Sequence, residues 1–141
     1  MTVEMTEVEV NEYLDSKPGW LILSTIGKEG YPHSVPIGYM RLGAEIYTAC
    51  RVGSQRAVNI MRNPKVCALF QSGTSRDGIK GVMIQGDATF ITEPDEVLRI
   101  SRESARRRGV TEDELPTEPR AGVAYIRVER RRVISWDYSR G

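Results

Sequence analysis

The chain has 141 residues, 40% of them apolar and 28% charged, with a formal net charge of +1. That length is one ordinary domain, 1–141, able to bury about two thirds of its unfolded surface without a disulfide or structural metal. The near-neutral balance argues against a nucleic-acid partner, and no apolar run approaches the roughly 18 residues that span a bilayer.

The opening "MTVEMTEVEVNEY" is acidic and lacks the basic and apolar regions of a signal peptide, so a cytoplasmic location is expected. Thr6 and Glu9 have capping-box spacing, and Val10, Tyr13 and Leu14 recur at i, i+3, i+4, which predicts a short helix stopped by "KPG" at 17–19. "WLILSTI", 20–26, reads as a first strand. The "GKEG" turn leads to "YPHSVPIGYMR", a second strand. Pro32 and Pro36 inside it point to an edge, a bulge, or a backbone that faces something other than another strand. "EIYTAC", 45–50, is the third.

Ser54 is placed to cap a helix running to Asn63, with Ala57, Val58, Ile60 and Met61 on its buried side. "KVCALFQS" is a fourth strand. "VMIQGDATFIT" is a fifth, with Val82, Ile84, Gly86, Ala88 and Phe90 on one face and Gly86 marking a bend or a close backbone approach. Thr92 is the expected cap of a helix with Pro94 and Asp95 in its first turn and Arg106 to Arg108 in its last. "VAYIRVE" and "RVISWDY" read as two final strands joined by a tight basic turn. About six strands in hairpin order with three helices predict a mainly β fold, a small antiparallel barrel, and exclude a doubly wound parallel sheet.

Much chemistry is absent. His33 is the one histidine, so a histidine metal site cannot be built within a chain, and Cys50 and Cys67 match no ligand spacing. No nucleophile elbow, P-loop or dinucleotide fingerprint occurs. A lone histidine beside two prolines is more often structural than catalytic. The arginine runs "ARRRG" and "ERRRV" fit a helix C-terminus and a hairpin turn better than a nucleic-acid footprint.

What remains is "TACRVGSQRAVNIMRNP", 48–64. A helix start leaves backbone N–H groups unpaired and carries partial positive charge, so it attracts phosphate. Arg51 and Arg56 would add forked donors, and Gly53 would let a backbone approach closely. A surface loop with ordinary capping explains the same residues about as well.

"LSTIGKEGYPHSVPIGYM", "EIYTACRVGSQRAVNIMRNPKVCALF" and "GVMIQGDATFI", in this order, together resemble the flavin-binding split β-barrel proteins related to pyridoxamine 5′-phosphate oxidase, a group that includes flavin- and deazaflavin-dependent oxidoreductases. The resemblance extends over roughly residues 6 to 138, "VISWDYSRG" included. It implies a six-stranded antiparallel split barrel of Greek-key type, a homodimer with cofactor sites between subunits, and hydride transfer to or from a small-molecule substrate. The cofactor implied is FMN or coenzyme F-420. Ser54, Gln55 and Arg56 would match the phosphate-contacting residues, with Arg51 beside them, and Thr48, Ala49 and Cys50 the segment under the ribityl chain. His33, Ser34, Val35, Pro36 and Ile37 would border the ring, and Gln85 and Trp136 would approach it from the partner subunit. Arg62, Lys65, Arg76 and Lys80 are candidates for the carboxylate tail of F-420. The chain is shorter than pyridoxamine phosphate oxidase and lacks its longer C-terminal segment, which argues against that substrate. The alternative on the same barrel is a non-catalytic haem-, tetrapyrrole- or flavin-binding protein, with His33 as the available axial ligand for haem; a further one is a structural dimer with an empty pocket.

Overall fold

In the computed structural model, which describes residues 3–140, seven strands and three helices follow the chain as α1 (Glu7–Asp15), β1 (Leu21–Ile26), β2 (Pro32–Ile37), β3 (Met40–Leu42), β4 (Glu45–Arg51), α2 (Gln55–Arg62), β5 (Lys65–Ser72), β6 (Lys80–Ile91), α3 (Pro94–Arg107) and β7 (Val123–Asp137). All strand pairs are antiparallel, and the sheet order is β2-β1-β5-β6-β7-β4-β3. The two edge strands, β2 and β3, are joined by only Gly38 and Tyr39. A sheet whose opposite edges are two residues apart in the chain must curl until those edges meet. The result is a split barrel of Greek-key character. The split lies at Gly38, whose carbonyl accepts a hydrogen bond from Thr48 Oγ1 at 2.7 Å.

The inside of the barrel is filled by alternate residues of each strand, among them Leu21, Leu23, Ile46, Ala68, Phe70, Val82, Ile84, Ile126 and Val128. Val82, Ile84 and Ala88 face this core as their alternation predicts, with Phe90 packed against it. Helix α1 contributes Val10, Tyr13 and Leu14 to it, and its capping box of Thr6 and Glu9 is formed. Tyr13 Oη lies 2.7 Å from Ser72 Oγ and donates to the Lys80 carbonyl at 2.9 Å. A second cluster of Met40, Tyr47, Ile91, Val97, Ile100 and Tyr125 seats α3 against the outside of β3, β4 and β7.

Four local expectations are corrected. The two final strands are one, β7, fifteen residues long and paired with β6 along all twelve residues of that strand. The run Glu129–Arg132 has no glycine or asparagine to supply the positive φ of a tight turn; Glu129 pairs with Arg127 and Arg131, and Arg130 donates to Asn11 of α1 at 2.8 Å. Between Gln85 opposite Arg132 and Gly86 opposite Arg130 the register shifts, so Arg131 bulges out and pairs with Asp87 at 2.5 Å. The expected second strand breaks at Gly38 and Tyr39 into β2 and β3, because its halves belong to opposite edges; this division and the undivided β7 offset each other, and the strands number seven where about six were expected. The cap of α3 is Glu93, not Thr92: its carboxylate accepts from the N–H groups of Asp95 and Glu96. On α2 the buried residues are Ala57, Asn59 and Ile60, while Val58 and Met61 are exposed, Met61 to 71%. The helix is rolled so that an asparagine, not two apolar side chains, faces the barrel.

Pro32 and Pro36 lie on the edge strand β2. An edge tolerates proline because its donorless nitrogen can face the open side. Gly86 is a close approach: a Cβ there would stand 2.3 Å from the Glu129 carbonyl oxygen.

Candidate functional site

Helix α2 begins where β4 ends. Gly53 turns the chain at φ 88°, a conformation that favours glycine, although a Cβ there would meet nothing within 4 Å. Ser54 occupies the N-cap position in extended conformation, but its hydroxyl makes no capping bond. The other two helices are supplied with acid at this end, Glu7 and Glu9 on α1 and Asp95 and Glu96 on α3; α2 has none in its first turn. Its unpaired N–H groups and the positive end of its dipole have no acid within the helix's own first turn.

The side chains around that start are poorly satisfied. Ser54 Oγ and Arg56 Nε are buried with no hydrogen-bond partner. Arg56 spends one guanidinium nitrogen on the Ala49 carbonyl at 3.2 Å. A buried donor left without a partner costs on the order of 1–3 kcal/mol, so an acceptor brought by a ligand would be favoured at this helix start. Beneath them α2 is pinned. Asn59 is fully buried, accepts from Gln55 Nε2 at 2.8 Å and Arg62 Nη2 at 3.3 Å, and donates to Thr25 Oγ1 on β1 at 3.0 Å.

Two grooves meet beside this start. A cavity of about 420 Å³ is lined by Cys50, Arg51, Arg56, Arg108 and Arg120, with Glu118 as its one acidic wall. A larger one of about 880 Å³ shares Ala49, Arg108 and Tyr125 with it and continues past Thr48, Ile37 and Gly38 to Trp20 and Lys17. Burial pushes the Cys50 thiol up, and the nearby Arg56 only partly offsets it. That shift is the reverse of the one that activates a cysteine.

Of the residues expected at the site, the structure brings together Ile37, Thr48, Ala49, Cys50, Arg51 and Arg56 on the groove walls, with Ser54 and Gln55 adjoining at the helix start. His33, Ser34, Val35 and Pro36 run further along the β2 edge and line neither groove; His33 Nδ1 is buried without a partner. Gln85 and Trp136 lie on the outer face of the sheet, Gln85 opposite Cys67 and Trp136 over Gly81. Arg62, Lys65, Arg76 and Lys80 line neither groove. Arg62 donates to the Ile26 carbonyl at 2.7 Å and Lys80 lies 3.7 Å from Asp137. Residues that sequence reasoning missed are Lys17, Trp20, Tyr125, Arg108 and Arg120. Arg108 belongs to a run that reads as a helix C-terminus. In the fold Arg106 and Arg107 pair with Glu103 and Glu112, while the Arg108 side chain donates to the Ser104 hydroxyl at 2.8 Å and has no ion-pair partner among the described residues. A third arginine in a turn that needs two was the only signal.

Residues 7–135 match the pyridoxamine 5′-phosphate oxidase family. The chain belongs to that family. Among solved structures it is similar to the conserved hypothetical protein Rv2991 from Mycobacterium tuberculosis, at 27% identity over 97% of this chain and 88% of that one, with a TM-score of 0.84. It is also similar to an F-420 reductase at 19% identity, covering 86% of this chain and 94% of that one, TM-score 0.65. The heme storage protein HutZ from Vibrio cholerae has the same fold at 13% identity over 99% of both chains, TM-score 0.68. No curated protein sequence matches the chain. Among the described residues no helix is long and apolar enough to cross a membrane.

Proposed function

We propose that this protein is an oxidoreductase of its family that binds FMN or coenzyme F-420 by the phosphate at the start of α2. The observation that carries the reading is the pair of buried, unpartnered polar atoms, Ser54 Oγ and Arg56 Nε, at a helix start free of acid and beside Arg51. A phosphate oxygen supplies the acceptors they lack. Such a cofactor, when bound, supplies hydride transfer to or from a small organic substrate. The chain's own work is to anchor the phosphate with Arg56, Arg51 and Ser54, to line the ribityl path with Thr48, Ala49 and Cys50, and to border the ring with Ile37 at the end of β2. No nucleophile or metal is required of it.

The site is completed by a second copy. On the outer face of the sheet Pro36, Ile22, Leu69, Met83 and Ile134 stand opposite one another in register across five strands and form an apolar stripe. Its central residues are only half-buried in one chain. A stripe of this kind is a surface for association, and Gln85 and Trp136 flank it, where they would reach the partner's cofactor.

A second reading has an observation of its own. His33 Nδ1 is buried and unpartnered, as an axial ligand without its haem would be. Titration with FMN, F-420 and haem tests both readings. Tight binding of FMN or F-420 that is lost in Arg56→Ala supports the first; a haem spectrum that His33→Ala abolishes, with no affinity for the other two, replaces it.

A further inference from the structure

Beyond the proposed cradle the smaller groove runs on in a direction that strand register fixes. Thr48 stands opposite Ile126, Ala49 opposite Tyr125 and Arg51 opposite Val123. Alternation puts Ala49, Arg51, Val123 and Tyr125 on one face of the sheet, and all four line the smaller cavity. Past Arg51 the Val52 N–H donates to the Gly122 carbonyl at 2.9 Å, and the Val123 N–H donates to the Arg120 carbonyl at 3.2 Å, so Arg120 stands just beyond the end of β4. Ile37, Gly38 and Thr48, toward the proposed ring end, line only the larger groove. A group lying between Arg51 and Arg120 is therefore on the far side of the phosphate from the ring.

The walls there carry more positive charge than one phosphate answers. Arg51, Arg56, Arg108 and Arg120 line the cavity with a single acid, Glu118, which leaves three positive charges unopposed. None of the four arginines is ion-paired among the described residues, although Arg106 and Arg107 beside Arg108 both are. Arginine does not shed its proton to relieve such an excess. The loop that bears Glu118 and Arg120 is also tied at both ends: Leu115 is buried, Arg102 of α3 donates to the Pro116 carbonyl at 2.8 Å, and Gly122 is bonded to Val52. A phosphate monoester carries about 1.5–2 negative charges near neutral pH, and one esterified on both sides carries less. At least one arginine is then left without a counter-charge.

We infer that the ligand of the α2 start carries a second anionic group beyond its phosphate, held by Arg108 and Arg120. The inference rests on the phosphate cradle proposed above and narrows its ligand, since FMN alone leaves the outer arginines unused. Two sources supply such a group: the carboxylate tail of F-420, and the second phosphate of a flavin dinucleotide. Fluorescence titrations of the full chain with FMN, FAD and F-420 at one salt concentration test it, in the native protein, Arg56→Ala and the double variant Arg108→Gln/Arg120→Gln. Both outer side chains are exposed, so the double variant spares the core. It should lose about tenfold or more in affinity for F-420 or for FAD, the worth of one charge-assisted contact, and much less for FMN. Whichever of the two ligands shows the loss identifies the source of the anion. Arg120→Gln alone, whose side chain makes no hydrogen bond among the described residues, should show the same selectivity. An equal loss for all three ligands, an unchanged affinity for F-420 and FAD, or binding of FMN alone overturns the inference. Those results leave the cradle standing if Arg56→Ala still weakens FMN. A selective loss in the double variant with no effect of Arg56→Ala removes the cradle and keeps the outer pair.

Discussion

Asn59 on α2 donates to Thr25 Oγ1 on β1 at 3.0 Å, with Asn59 fully buried and Thr25 nearly so. This bond crosses from the helix whose start is the proposed phosphate cradle to the strand beneath it. Asn59 also gathers Gln55 and Arg62, so a single core amide sets the roll of the helix. Asn59→Leu keeps the branched shape and strands three polar partners. It should destabilise the fold by about 1–3 kcal/mol, read as a lower urea midpoint with an unchanged slope, and it should loosen cofactor binding without touching any groove residue.

Gly86 faces Gly86→Ala with a Cβ 2.3 Å from the Glu129 carbonyl oxygen and 2.8 Å from Val128 Cγ1. One neighbour is backbone of the bulged strand and cannot step aside cheaply. The substitution should cost about 1–3 kcal/mol, as overpacking does, and thermal unfolding would show it. A melting temperature equal to that of the unsubstituted protein would mean that the two strands do not approach so closely.

The Asp15–Arg41 pair gives an acid limb to stability. Hydrogen bonding from Arg41 holds the Asp15 carboxyl below its usual range. A depressed folded-state value contributes stability above the unfolded value, about 3.9, and that contribution is lost as pH falls through the folded-state value. The Asp15 side chain is 44% exposed, so the effect is modest. Urea midpoints measured at pH 7 and at pH 3 should fall with acid in the native chain and fall less in Arg41→Gln.

Met83 stands at the centre of the outer apolar stripe, between Leu69 and Ile134. Met83→Lys should leave the fold intact and turn the proposed dimer into a monomer by sedimentation. Cofactor affinity should fall with it, since Gln85 and Trp136 would no longer reach the partner. A variant that still sediments as a dimer would move the interface elsewhere.

The alternation of Val82, Ile84, Ala88 and Phe90 and the prolines at 32 and 36 were legible because each is a local rule: period two, and a missing donor. The long β7 was not, because "ERRR" reads as a turn until Asp87 and Asn11 are known to stand beside Arg131 and Arg130. Val58 and Met61 misled for a related reason. Two adjoining faces of α2 carry apolar residues, and only tertiary contact with Thr25 decides which one turns inward. At the site, "SQR" after a strand and a glycine could be read from sequence. Lys17, Arg108 and Arg120 could not, since they come to the grooves from α1, α3 and the loop before β7, elements whose docking no spacing in the chain records.

The central claim is that Arg56 Nε and Ser54 Oγ lack partners because a phosphate supplies them. Equilibrium titration of the native chain and of Arg56→Ala with FMN and with F-420 tests it most directly. One charge-assisted contact is worth about 1.5–3 kcal/mol, so affinity for the bound cofactor should fall about tenfold to more than a hundredfold in the variant. An affinity equal in the two proteins would contradict the account.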